Sequence, residues 1–135
     1  MAKETGLGWS TLTVDNAASS AQDIRNDITD LDFSTPRAVI EVSGIDKSAY
    51  ERLLGLADFS INLNGVFNDG LNMSHSVLKT VPSTDTPRTV AIGVSGQTLS
   101  NECLFTDYQL KRANDGGLTW SAPGVLCDGT VPTWS

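Results

Sequence analysis

Histidine and cysteine are scarce in this sequence of 135 residues. His75 is the only histidine, and the two cysteines, Cys103 and Cys127, lie far apart and outside any CxxC or Cys/His grouping. No second histidine or paired cysteine can complete a zinc site, and the serines beside His75 would not face it on a helix. We therefore predict no catalytic residue, no metal and no cofactor, and a protein that is not an enzyme. For the cysteines we favour two buried free thiols over a disulfide.

Basic side chains are also few. Nine lysines and arginines stand against 16 acidic residues, which gives a formal charge of −7. This balance repels DNA and argues against a protein that reads nucleic-acid sequence. Asp23, Asp27, Asp30 and Asp32 fall within ten residues that contain only Arg25 as a counter-charge. They form either an ordinary solvated acidic face or a surface that repels a polyanion.

The sequence has no apolar run long enough to cross a membrane, and its amino terminus lacks the apolar core of a signal peptide. We therefore expect a protein that is neither secreted nor inserted in a membrane. With 39% hydrophobic residues in 135, the chain fits one domain, residues 1–135, with a modest core.

Alternation of apolar and polar residues predicts most of the secondary structure. The clearest element is a hairpin around the turn at 114–117, in which we expect Trp120 to pack in the core. The predicted strands are 9–15, 24–33 after an initial loop, 37–44, 59–64 with a bulge at Gly65, 89–95, 101–114 and 117–126.

Two segments have helical spacing instead. In residues 45–55, Ser48 and Glu51 have the spacing of a capping box, and Tyr50, Leu53 and Leu54 would dock the helix on the sheet. In residues 71–82, an apolar stripe of Met73, Val77, Leu78 and Val81 ends at Pro82. The sequence therefore predicts a mainly β (α+β) domain, an antiparallel β-sandwich or barrel with one or two short flanking helices.

Two predicted strands have an unusual second face. In the strand at 59–64, Phe59, Ile61 and Leu63 share one side, and the other side carries the small neutral residues Ser60, Asn62 and Asn64. In the strand at 89–95, the second side carries Thr89, Ala91, Gly93 and Ser95. Such faces can line a space, pack against copies of the same chain, or simply face solvent.

Three blocks of the sequence, residues 27–69, 74–96 and 104–134, together resemble the major tail tube protein of long-tailed (siphophage-type) bacteriophages. The resemblance implies a β-sandwich with a flanking helix, six copies of which form a ring whose inner strands join into one β-barrel. Rings of that family stack into a tube through which the genome passes without specific binding. The implied partners are further copies of the chain and the tape-measure, tail terminator and distal tail proteins. The implied location is the virion, after assembly in the host cytoplasm.

The resemblance also suggests roles for particular residues. The family bridges neighbouring subunits with a long arm and with the chain termini, for which the candidates are residues 33–44, 1–8 and 128–135. We expect the two terminal segments to order only on assembly. The neutral faces of the strands at 59–64 and 89–95 would line the lumen or form an interface, and the four aspartates would repel the genome. The candidate inter-subunit contacts are Phe33, Arg37, Val39 and Trp134.

Two alternatives remain at this stage. A monomeric or dimeric β-sandwich that binds carbohydrate or protein would use Trp9, Trp120 and Trp134 as ligand platforms. A tail terminator or head-tail joining protein would form rings that do not stack.

Overall fold

The structure is a computed structural model that describes residues 3–135, so the first two residues of the predicted N-terminal segment lie outside it. Strands dominate the described chain. In order, the elements are β1 Thr11–Asp15, β2 Ala21–Asp23, a 3-10 turn Arg25–Asp27, β3 Ile28–Ser34, β4 Arg37–Glu41, β5 Arg52–Ala57, β6 Ser60–Val66, α1 Ser74–Leu78, β7 Arg88–Val94, β8 Gln97–Phe105, β9 Gln109–Arg112 and β10 Leu118–Leu126.

Eight strands form one antiparallel sheet in the order β2-β1-β7-β8-β10-β6-β3, with β9 also paired to β10. β6 pairs along one edge of β10. The other edge of β10 pairs with β9 at residues 118–121 and with β8 at residues 124–126. The sheet folds over at the short β8–β10 contact. This gives a first half-sheet, β2-β1-β7-β8, and a second half-sheet, β3-β6-β10-β9. The two half-sheets form a β-sandwich that does not close into a barrel.

The core lies between the two half-sheets. Leu12, Val90 and Leu99 enter it from the first half-sheet, and Ile61 and Leu63 enter it from the second. The alternation predicted for the strand at 59–64 is therefore confirmed. Each of these buried side chains stabilises the fold by about 1.5–3 kcal/mol relative to exposure. Trp120 is also buried, as expected, and its indole N–H donates to the Val66 carbonyl at 2.9 Å.

The predicted helix at 45–55 is wrong. Residues 52–57 form β5, which pairs with β4 and places Leu53 opposite Ile40 and Leu54 opposite Val39. The loop between them is closed by a hydrogen bond from the Glu51 backbone N–H to the Ser43 hydroxyl at 2.7 Å. A helix of two turns is marginal without tertiary contacts, so strand pairing to β4 prevails over the capping-box pattern.

The predicted hairpin is confirmed, but its first strand is interrupted. Residues 101–105 belong to β8 and residues 109–112 form β9, and both pair with β10. The register of the pairing changes by one residue across 106–108, as in a bulge. The bulge predicted at Gly65 lies instead in the facing strand, between Ile28 and Asp30 of β3.

The second predicted helix is confirmed in part. Only Ser74–Leu78 is helical, and Val77 and Leu78 of the apolar stripe are fully buried. No helix within residues 3–135 has the length and apolar character needed to span a membrane.

Candidate assembly surfaces

The neutral face of β6 lies on the outer surface of the second half-sheet. Asn62 and Asn64 point away from the core because their neighbours Ile61 and Leu63 point into it. Asp32 of β3 and Ser121 of β10 stand beside them in register, and the Asn62 side-chain amide donates to the Asp32 carboxylate at 3.5 Å. Further along, the hydroxyls of Ser34 and Ser60 are 3.1 Å apart. The result is a mainly polar surface across β3, β6 and β10, in which Pro123 and Val125 of β10 are the apolar neighbours of Asn62 and Ser60.

The neutral face of β7 lies on the opposite side of the molecule. Thr89 and Ala91 are on the outer surface of the first half-sheet, where they pair with Glu102 and Ser100 of β8. The Thr89 hydroxyl donates to the Glu102 carboxylate. Ser95 does not belong to this face, because β7 ends at Val94 and Ser95 has a φ of 53° in the turn to β8. The structure therefore separates the two predicted faces.

The four aspartates do not form one acidic surface. Asp30 and Asp32 are exposed on the outer side of β3. Asp23, on β2, forms an ion pair with Arg25 at 2.9 Å, and this hydrogen bond lowers the pKa of the carboxyl.

Asp27 corrects the sequence prediction, since only 1% of it is exposed. Its carboxylate accepts hydrogen bonds from the Asn68 side-chain amide and from the Ser74 backbone N–H, both at 2.9 Å. Asp27 therefore fixes the start of α1 against the turn before β3. No spacing in the sequence indicated this contact, because the partners lie 41 and 47 residues away.

The most exposed apolar surface is the segment 37–57, which we call the arm. It consists of β4, β5 and their connecting loop, and it forms a two-stranded sheet separate from the sandwich. A two-stranded hairpin alone is marginally stable in water. The arm nevertheless exposes eight large apolar side chains: Val39, Ile40, Val42, Ile45, Tyr50, Leu53, Leu54 and Leu56. Exposed apolar patches of this kind mark sites of protein association.

The arm is longer than the sequence predicted. The expected range, 33–44, begins with Phe33 and Ser34, which belong to β3, and it covers only the first arm strand; most of the return strand was assigned to a helix. Val39 is exposed within the arm, and the Arg37 guanidinium donates to the Gly55 carbonyl at 2.9 Å, which links the two arm strands.

Phe33 and Trp134 contact each other within one chain. Their ring centroids are 6.0 Å apart, and Phe33 also lies 6.2 Å from Phe59 of the core. The last residue, Ser135, exchanges two backbone hydrogen bonds with Thr98 of β8, at 2.8 and 2.9 Å. Trp134 remains 43% exposed, so part of its ring is available to another molecule.

Histidine and cysteine have packing roles. The His75 ring lies 4.6 Å from the Phe67 ring and 5.8 Å from the Tyr108 ring. Cys103 and Cys127 are free thiols, as predicted, although only Cys103 is fully buried. Burial raises the pKa of the Cys103 thiol to about 12.

Solved structures share this architecture over nearly the whole chain. A chain from the tail of an empty gene transfer agent particle, determined with C6 symmetry, superposes with a TM-score of 0.72 at 15% identity and covers 98% of both chains. This protein has the fold of a particle-tail protein. A chain from the virion of a native gene transfer agent particle matches with a TM-score of 0.71 at 14% identity, over 97% of this chain and 99% of that one. The fold expected from the resemblance to tail tube proteins is thus confirmed. No protein-family model and no curated protein matches the sequence.

Proposed function

We propose that this protein is a structural tail-tube subunit, without enzymatic activity, whose copies form rings that stack into a conduit for DNA. The observation that carries the proposal is the full-length fold similarity to a chain of a C6-symmetric tail. The exposed apolar arm supports it, because all eight of those side chains remain exposed in the described chain. We place the protein in the virion tail, assembled in the host cytoplasm, with tape-measure, tail terminator and distal tail proteins as further partners.

In the proposed ring, the second half-sheet forms the inner wall. Six copies of its four strands give 24 strands. At a spacing of about 4.8 Å they close a circle about 37 Å across, before strand tilt widens it. A DNA double helix fits inside such a circle. Ser60, Asn62 and Asn64 then line the lumen, and Thr89 and Ala91 lie on the outside of the tube.

This wall suits a passing polyanion. Affinity for nucleic acid grows with the number of phosphates that lysine and arginine neutralise. The outer surface of β6 offers hydroxyl and amide groups instead, and Asp30 and Asp32 of β3 add negative charge beside it. DNA in contact with this surface gains few attractive contacts, so it slides without pausing.

The arm would connect subunits. Its apolar side chains are removed from water only by another protein surface, and in a tube of stacked rings that surface belongs to a neighbouring copy. Phe33 and the exposed part of Trp134 are further candidate contacts between copies.

Sedimentation velocity and negative-stain electron microscopy of the purified chain test the proposal. We expect rings and, at higher concentration, stacked tubes with an open lumen. A chain that stays monomeric or dimeric at all concentrations would overturn the proposal and favour a binding module. Rings that never stack would favour a terminator or joining protein.

A further inference from the structure

The second half-sheet ends in two unpaired edges. Within the described chain, β3 pairs only with β6 and β9 pairs only with β10. Resting on the tail-tube function proposed above, we propose that β3 of one copy pairs with β9 of the next, and that opposite charges on the two edges specify this junction. An open edge leaves a row of unpaired N–H and C=O groups, which a strand from another chain satisfies.

The outer sides of the two edges carry opposite charge. On β9, Lys111 shares the outer surface with Gln109, because Leu110 between them faces the same side as the buried Trp120. On β3, Asp30 and Asp32 share that outer surface. In residues 3–135, none of these three charged side chains takes part in an ion pair. Joining the edges would bring Lys111 of one copy beside Asp30 and Asp32 of the next. Opposite charges on neighbouring strands stabilise pairing, and like charges oppose it.

The inner side of β3 is apolar, and the inner side of β9 carries Leu110 and, two residues further on, the exposed Arg112. Leu110 of β9 is 48% exposed although it faces the core side of the sheet. Beside β3 lies a groove of about 560 Å³. It is lined by Trp9, Leu12, Leu31 and Phe33, and the charged residues Arg25, Asp30 and Asp32 also border it. Pairing β9 with β3 would place Leu110 of one copy at this groove of the next. The same junction would therefore bury an apolar residue on one side of the sheet and match charges on the other.

The strand directions permit this junction. All neighbours in the second half-sheet are antiparallel, so its four strands alternate in direction and β3 and β9 run in opposite senses. A rotation about the tube axis preserves the direction of each strand along that axis. The β9–β3 junction is then antiparallel, like every junction within the chain, and a head-to-tail ring closes.

The junction has a further consequence for the lumen. Lys111 lies on the surface that would face the DNA, where a free lysine would attract phosphates. Two carboxylates from the neighbouring copy would neutralise that attraction. Charge pairing would thus serve both ring closure and the passage of DNA.

Charge reversal tests the junction. We expect Lys111→Glu, and separately the double variant Asp30→Lys/Asp32→Lys, to raise the protein concentration needed for half-maximal ring formation by about tenfold or more, because like charges then meet at every junction. The control is Asp85→Lys, which reverses an exposed charge away from both edges and should assemble as the wild type does. Sedimentation velocity measures the ring fraction, and circular dichroism confirms that each variant is folded.

Mixing the variants gives the decisive result. In an equimolar mixture of Lys111→Glu chains and Asp30→Lys/Asp32→Lys chains, each reversed β9 can meet a reversed β3, so alternating rings should form at near wild-type concentration. If the wild type forms rings and the Lys111→Glu variant also assembles normally, the β3–β9 junction is overturned. The proposed tube function would then remain intact. Failure of the mixture to restore rings would also overturn the junction. Absence of rings in the wild type would overturn the proposed function itself.

Discussion

The Asp27 carboxylate accepts a hydrogen bond from the Ser74 backbone N–H at 2.9 Å, across 47 residues of sequence. This bond joins the turn before β3 to the first residue of α1 and thereby holds the end of the second half-sheet against the helix. The same carboxylate accepts from Asn68, so a single buried side chain positions three segments.

Replacing Asp27 should therefore destabilise the isolated subunit. Asp27→Ala leaves a buried donor on Ser74 and a part-buried donor on Asn68 without an acceptor, and we expect a loss of about 2–3 kcal/mol in the free energy of unfolding. Asp27→Asn keeps one acceptor oxygen and should lose less. Urea denaturation at a concentration where the chain is monomeric measures both. Asp85→Ala, at an exposed position, should change stability by less than about 0.5 kcal/mol; an equal loss in this control would contradict the role of Asp27.

The arm should matter for assembly and not for subunit stability. Ile45→Ser/Leu56→Ser removes two strongly exposed apolar side chains, so the free energy of unfolding of the monomer should change by less than about 0.5 kcal/mol. Tube formation, followed by electron microscopy and light scattering, should fall sharply. Leu71→Ser is a matched control, because Leu71 is equally exposed but lies outside the arm. Tubes of normal length from the arm variant would show that these side chains face solvent.

Lysines in the lumen should slow DNA. Asn62→Lys/Asn64→Lys adds two cations per subunit to the proposed inner wall, so assembled tubes should retain duplex DNA at low salt and release it as salt rises. The control Thr98→Lys/Ser100→Lys adds the same charge to the outer surface of the first half-sheet. Genome delivery by particles carrying each variant compares the two, because lysines on the outside of the tube lie away from the path of the genome. Unimpaired delivery with lysines at 62 and 64 would remove β6 from the lumen.

The Cys103 thiol should make stability fall at alkaline pH. Its pKa in the folded chain is raised to about 12 by burial, while an exposed thiol ionises near about 8.5. Between these two pH values, the thiol has lost its proton in the unfolded chain and retains it in the folded chain. The free energy of unfolding therefore decreases as pH rises. This thiol contributes a decrease of at most about 1.4 kcal/mol per pH unit. Denaturation of wild type and Cys103→Ala between pH 8 and 10 should differ in slope. An identical pH dependence of stability in the two proteins would show that burial does not raise the pKa of this thiol.

The strict alternation of the core strands predicted an antiparallel β domain, and it left open whether that domain is a sandwich or a barrel. Phe59, Ile61 and Leu63, like Val90 and Ile92, are apolar at every second position, and burial on one side leaves only one register for such strands. The arm was missed for the opposite reason. Leu53 and Leu54 are adjacent and both exposed, so burial within the chain does not impose an alternating pattern on β5. Helical spacing then suggested a helix that the sandwich does not stabilise.

The candidate surfaces were predictable only in part. Alternation placed Asn62 and Asn64 correctly on an outer face, since that follows from the strand alone. It could not tell that Thr89 lies on the opposite side of the molecule, because the folding-over of the sheet at β8 and β10 is a tertiary feature. The burial of Asp27 was hidden for the same reason, as both of its partners come from the distant segment before and within α1.

In the single chain, the arm exposes apolar side chains to water, and the chain as a whole carries a formal charge of −7. Mutual repulsion between such chains has a range of about 10 Å at an ionic strength of 0.1 M and shortens as salt is added. Salt therefore weakens the repulsion between separate chains, while the proposed apolar contacts of the arm involve no charge. In the proposed assembly, added salt should favour polymerisation of a concentrated stock.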